Sequence, residues 1–230
     1  MTNLKLSSKA KSLAAGKGYL LFFLLLAVSP ARGIILAEHR GDVDPKEAGW
    51  VRQGSLNNVV EGPVQVGLTP AWMIDDNTTA SGSTLFYQYT PSPSDIALAS
   101  THGWRFSGDI YLPENDTRGG PSVIMSYDNG SRAYQLTFGV VDGPRTARAT
   151  YTGRGTADAD NNPGERLNRF VLESTDGSNG AFFINGEDTN LSSGGASVSL
   201  RRIIWGAGSS ADNGRGEYAL IRFEYFPPVE

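Results

Sequence analysis

Arg105, Asp109, Tyr111, Gln135 and Thr137 are the residues whose types best suit holding a ligand. Guanidinium, carboxylate and amide groups hydrogen-bond hydroxyls in fixed directions, and a tyrosine adds an aromatic platform, the combination a sugar site needs. The five occupy the polar parities of two stretches, Gly103–Leu112 and Ser131–Val140, read as neighbouring strands. An ordinary solvated sheet face carries the same pattern, so both readings stand at this level. Arg132, Arg148 and Arg169 would bind a carboxylate such as that of sialic acid if the fold gathered them, because each guanidinium is a bidentate fork; scattered surface arginines are the alternative.

Asp158, Asp160 and Asn162, with Glu165 beyond, set hard oxygen ligands at alternating positions, the opening of a calcium loop. Pro163 stands where that loop needs glycine and Arg169 where it needs its closing glutamate. Calcium as a cofactor and a plain acidic loop therefore remain alternatives. Asp75 and Asp76 beside Asn77 pose the same choice between a calcium ligand set and a turn cap.

Catalytic constellations are harder to assemble. There is no cysteine, which excludes thiol nucleophiles, thiolate zinc sites and disulfides. The two histidines, His39 and His102, accompany no Gly-x-Ser-x-Gly elbow. The sequence is read as a non-enzyme.

Strands must position these groups. In Gly103–Leu112, Trp104, Phe106, Ile110 and Leu112 alternate with Arg105, Ser107, Asp109 and Tyr111, the period-two signal of a half-buried strand. Tyr134, Leu136, Phe138 and Val140 repeat it, and Asn129-Gly130 before them predicts a type I′ hairpin turn. A second hairpin joins Arg169–Ser174 to Ala181–Asn185 through Asp176–Gly180. Ala71–Asp76 reads as an edge strand behind Pro70, and Gly153–Gly164 and Asn190–Gly195 as loops. Ser94 is expected to cap one short helix over 95–100, with Asp95 in its first turn. Trp50, Trp72, Trp104 and Trp205 are expected in the core rather than as stacking platforms. About a dozen short strands and one helix predict an all-β fold, a two-sheet antiparallel jelly-roll sandwich.

Residues 1–31 are a different material. Lys5, Lys9, Lys11 and Lys17 precede the apolar run Tyr19–Val28, and Ser29-Pro30-Ala31 offers small residues, which together read as a cleaved signal peptide. Cleavage is expected between Ala31 and Ala37, with Ile34–Ala37 able to extend the run into an anchor if it is not cleaved. A polar lead-in over 32–48 and a folded domain over 49–230 would follow. Without residues 1–31 the chain has 16 Lys plus Arg against 24 Asp plus Glu, a formal charge of −8. Such an acidic domain is a poor partner for phosphate backbones, so no nucleic acid is expected. Export without cysteine suggests a secreted, periplasmic or cell-surface bacterial protein, with no membrane span after cleavage.

Gly49-Trp50, Ala71-Trp72, Gly103-Trp104, Asp128-Asn-Gly-Ser-Arg132, Phe183-Ile-Asn-Gly186 and Trp205-Gly206 give the chain a resemblance to the concanavalin A-like lectin/glucanase superfamily. It is most similar there to laminin-G-like jelly-roll modules of exported bacterial proteins. The resemblance covers residues 49–226. It implies concave and convex sheets, frequent carbohydrate binding and, in some members, structural calcium. The Glu-x-Asp-x-x-Glu strand of the superfamily's β-glucanases is missing, and with it the carboxylate spacing a retaining hydrolase needs. The expectation is a non-catalytic lectin-like module that recognises its glycan partner by hydrogen bonds from the concave sheet and its rim loops. A surface protein-interaction scaffold is the alternative, and a hydrolase with an atypical carboxylate pair the third reading.

Overall fold

Alternation decides where the core forms. The protein is described here by a computed structural model covering residues 33–54, 59–76, 85–113, 123–141, 146–160, 167–207 and 214–227. The predicted leader, Asn162 and Glu165 lie outside the described residues.

The strands are β1 (Ile34–Arg40), β2 (Val51–Gly54), β3 (Val59–Val66), β4 (Thr69–Asp76), β5 (Leu85–Tyr89), β6 (Trp104–Tyr111), β7 (Val123–Asn129) and β8 (Arg132–Val141). They continue as β9 (Thr146–Tyr151), β10 (Gly155–Asp160), β11 (Asn168–Ser174), β12 (Gly180–Ile184), β13 (Glu187–Ser193), β14 (Ala196–Ser197), β15 (Arg201–Ala207) and β16 (Gly214–Tyr225). One helix, α1 (Pro93–His102), leads into β6.

Two antiparallel eight-stranded sheets face each other. The first runs β13-β12-β11-β6-β16-β4-β3, with β1 added beside β16; the second runs β10-β9-β8-β7-β15-β5-β2, with β14 beside β8. In the first sheet β6 holds the centre. Trp104, Phe106 and Ile110 on β6 are fully buried against Tyr127, Tyr134, Leu136 and Phe138 of the opposite sheet, in one continuous apolar cluster. All four tryptophans belong to that cluster. Truncating one of them to alanine would cost about 3–5 kcal/mol, which makes them structural rather than stacking residues.

Several local expectations change. The stretch expected as a polar lead-in contains β1, whose Ile34–Arg40 pairs with Tyr225–Leu220 of β16. The long β16 thus shares one edge between β4 and β1 while β6 takes the other. β4 is internal rather than an edge, paired by β3 and β16; the edge is β3, which accommodates Pro63. Two expected loops are partly strand, since β10 pairs with β9 and β13 with β12. The helix begins two residues earlier than expected. Ser92 caps it, accepting from the Asp95 amide while Asp95 accepts from the Ser92 amide, a capping box that Ser94 does not form.

The tight Asn-Gly turn is found at Asn185-Gly186 rather than at Asn129-Gly130. Type I′ geometry needs positive φ at both central residues, and Asn185 (φ 53°) with Gly186 (φ 87°) provides it between β12 and β13. At Asn129-Gly130 only the glycine has positive φ. There the turn is wider, with Asp128 pairing Ala133, and the Asn129 side-chain oxygen accepts from the Ser131 and Arg132 amides.

Candidate functional site

The five expected sugar-binding residues do not form one site. Arg105, Asp109 and Tyr111 belong to β6, flanked by β11 and β16 in the first sheet, whereas Gln135 and Thr137 belong to β8, flanked by β7 and β9 in the second. Their polar parities point away from a shared core, so the two groups lie on opposite outer surfaces. Tyr111 is itself buried, in a small cluster with Val66 and Ala71.

On the first sheet's outer face the charged groups are spent on one another. Arg169 donates bidentately to Asp109 at 2.7 Å and 2.7 Å. Arg105 donates to Glu173 at 2.6 Å and to Glu224 at 3.2 Å. Burial works against the Arg105 charge, but the two glutamates outweigh it and its pKa is raised. The Asp109 hydrogen bonds raise that of Arg169. Arg222 and Arg40 share Glu38, whose pKa they lower in spite of its burial. A shallow cleft of about 340 Å³ opens here among Arg105, Glu173 and Glu224. Each of its two glutamates commits one oxygen to the same guanidinium.

Arg132, Arg148 and Arg169 are scattered rather than gathered. Arg148 is held bidentately by Asp158 at 2.7 Å and 2.7 Å, which lowers the Asp158 pKa. Asp158 is thereby an ion-pair partner on the β9–β10 hairpin. Among the described residues no three acidic or histidine side chains cluster as a metal site. His39 is buried in the core, stacked on Trp205 at 4.8 Å, and His102 ends α1.

Arg132 lies elsewhere, at a larger cleft the sequence did not announce. This cleft, of about 660 Å³, opens at one end of the sandwich between α1, the β7–β8 turn and the β11–β12 loop. The helix contributes the face made by Pro93, Ile96, Ala97 and Ser100, spaced as successive turns require. Opposite it stand Asn129, Gly130 and Arg132 from the turn, Arg201 from the start of β15, and Ser178 and Asn179 from the loop.

The loop is held rigidly. Asp176 accepts from the Ser178 and Asn179 amides at 2.8 Å and 3.0 Å and from the Ser174 hydroxyl at 3.1 Å. Those amides hold its carboxyl well below the usual carboxylate range. From beneath, the buried Tyr134 hydroxyl donates to the Ser178 carbonyl at 2.8 Å, and the Tyr151 hydroxyl to that of Gly180 at 3.2 Å. Burial raises both tyrosine pKa values, so both remain donors at neutral pH. Gly177, at φ 73°, lies so close to the helix that a Cβ would overlap the Ser100 carbonyl. Helix and loop are therefore locked together across the base of the cleft. It presents an apolar wall facing amides, hydroxyls and two guanidinium groups.

No protein-family model and no curated protein matches the sequence. Solved structures share its fold. The carbohydrate esterase vb_24B_21 from the Shiga toxin-encoding bacteriophage phi24B aligns with a TM-score of 0.56 at 9% identity, over 85% of this chain and 100% of that one. The binding domain of botulinum neurotoxin DC, solved with rat synaptotagmin II, aligns at 0.50 and 10% identity, over 83% of this chain and 48% of that one. A sialidase aligns at 0.50 and 10% identity, over 83% of this chain and 19% of that one. The chain thus spans about half of the toxin domain and about a fifth of the sialidase. At these identities the shared feature is the β-sandwich.

Proposed function

We propose that this protein is an exported, non-catalytic carbohydrate-binding module of the concanavalin A-like kind, and that its sugar site is the end cleft between α1, the β7–β8 turn and the β11–β12 loop. The cleft carries the reading. Its volume, about 660 Å³, lies within the range typical of ligand sites, and it combines an apolar wall with side-chain amides and hydroxyls on a loop fixed from below. Prior fixing matters because a polar, flexible ligand loses much of its affinity to ordering costs, which a preorganised site does not add to. The sandwich by itself does not choose among functions, since one fold serves many.

The outer sheet faces are weaker candidates. Asp109 and Arg105 are engaged in ion pairs, and Gln135 and Thr137 lie on the opposite sheet from them. Export rests on the leader-like residues 1–31. Cleavage near Ala31 would leave β1 whole, whereas cleavage at Ala37 would remove the half that pairs with Tyr225–Phe223.

A glycan array tests the reading, with Asn179→Ala and Gln135→Ala beside the unaltered protein. The expected outcome is saccharide binding that Asn179→Ala weakens about tenfold, the loss of one or two good hydrogen bonds, and that Gln135→Ala leaves unchanged. Binding lost with Gln135→Ala and kept with Asn179→Ala moves the site to the second sheet's face. No saccharide bound at all favours a protein-interaction scaffold.

A further inference from the structure

Arginine pairing across the molecule points beyond a generic sugar site. Arg40, Arg52, Arg105, Arg148, Arg169, Arg202, Arg215 and Arg222 each have a carboxylate within ion-pairing distance. Three described arginines form no ion pair with described residues: Arg132, Arg154 and Arg201. Arg154 belongs to the exposed β9–β10 turn. The other two share the mouth of the end cleft.

Their placement is specific. Arg201 is in register with Asn129 across β15 and β7, and its side chain lies over Gly130, with Nε 2.9 Å from where a Cβ would stand. Glycine at 130 thus leaves the space that this guanidinium stem occupies. Arg132 follows two residues later, its amide bonded to the Asn129 side chain at 2.7 Å. Both side chains are exposed. The acidic group nearest along the cleft's loop, Asp176, is already bound to two amides and a hydroxyl.

We infer that the end cleft takes an anionic saccharide, one carrying a carboxylate or sulfate, whose charge is received by Arg132 and Arg201. Two like charges at one mouth repel each other, and no described carboxylate forms an ion pair with either of them; a bound anion offsets that repulsion. A guanidinium fork matches the paired oxygens of carboxylate and sulfate alike. In a chain of formal charge −4, a local positive site selects by charge, because the surrounding acidic surface repels anions elsewhere. The Pro93, Ile96 and Ala97 wall would take the ring's apolar face, with Asn179 and Ser178 left for hydroxyls.

This inference rests on the reading of the cleft as a saccharide site, and one experiment separates the two. Matched neutral, carboxylated and sulfated forms of the same oligosaccharides are titrated into the unaltered protein, the Arg132→Gln/Arg201→Gln double variant and an Arg154→Gln control. Thermal melts verify that each is folded. The expected result is anionic forms binding about tenfold or more tighter than their neutral parents, a preference the double variant abolishes and the control keeps. The carboxylate and sulfate arms identify which anion is preferred. Equal binding of neutral and anionic forms, or a preference surviving in the double variant, overturns the inference while leaving the saccharide site. Absence of binding to every form overturns both.

Discussion

At the scale of the residue, His39 shows how a titratable group can be structural. It is fully buried, stacked on Trp205 with an interplanar angle of 19° and edge-on to Trp72 at 6.4 Å. Among the described residues neither ring nitrogen has a hydrogen-bond partner. Burial lowers its pKa to about 4, against the pull of Asp42 and Asp44. In the unfolded chain the proton is taken up near pH 6.5, so the folded form has the depressed value. Its contribution is complete above pH 6.5 and is lost as pH falls toward 4, amounting to about 2–3 kcal/mol by pH 4.5. Glu38, Asp158 and Asp176 are held below the usual carboxylate range and titrate later. The melting temperature should fall between pH 6.5 and 4.5, and His39→Phe, which keeps an aromatic ring in the stack, should flatten that fall. Equal slopes in both proteins would assign the proton to another group. Individual residue types told less about the binding site. Sequence could propose Arg132, but whether an arginine is free depends on partners distant in the chain, such as Asp109 for Arg169 and Glu173 for Arg105.

Elements were legible where one face is apolar and obscure where neither is. β6, β8 and β11 alternate strongly and were expected as strands. β13, Glu-Asp-Thr-Asn-Leu-Ser-Ser, has almost no apolar face. It is a strand because the Asn185-Gly186 turn folds it back on β12, with a bulge at Thr189–Asn190 between the Phe183 and Phe182 pairings. β10 is carried on β9 in the same way, its Asp158 facing Arg148. Turn glycines carry comparable weight at the cleft. Gly177→Ala would place a methyl group into the Ser100 carbonyl at a φ of 73°, a conformation that side chains rarely adopt. The loop must then move off α1, and chemical denaturation should register a loss of about 1–3 kcal/mol. The same variant should weaken saccharide binding through loss of loop order. Unchanged stability would mean that helix and loop are not locked as described.

For the whole molecule, alternation identified wet and dry faces but not which sheet a strand would join. β6 and β8 read as neighbours although β7 lies between them in the chain. Chain connectivity in this sandwich sends β6 between β11 and β16 and β8 between β7 and β9. That single difference dissolves the expected five-residue site. It also explains why the end cleft was hidden: its walls come from α1, one hairpin turn, one loop and the start of β15, brought together only by stacking of the sheets. The most direct measurement is an amide chemical-shift titration of the labelled protein with a saccharide selected on the array. The account predicts perturbations centred on Gly130, Arg132, Gly177, Asn179 and Arg201, with Arg105, Asp109, Gln135 and Thr137 unmoved. Shifts concentrated on either outer sheet face, with the cleft silent, would contradict it.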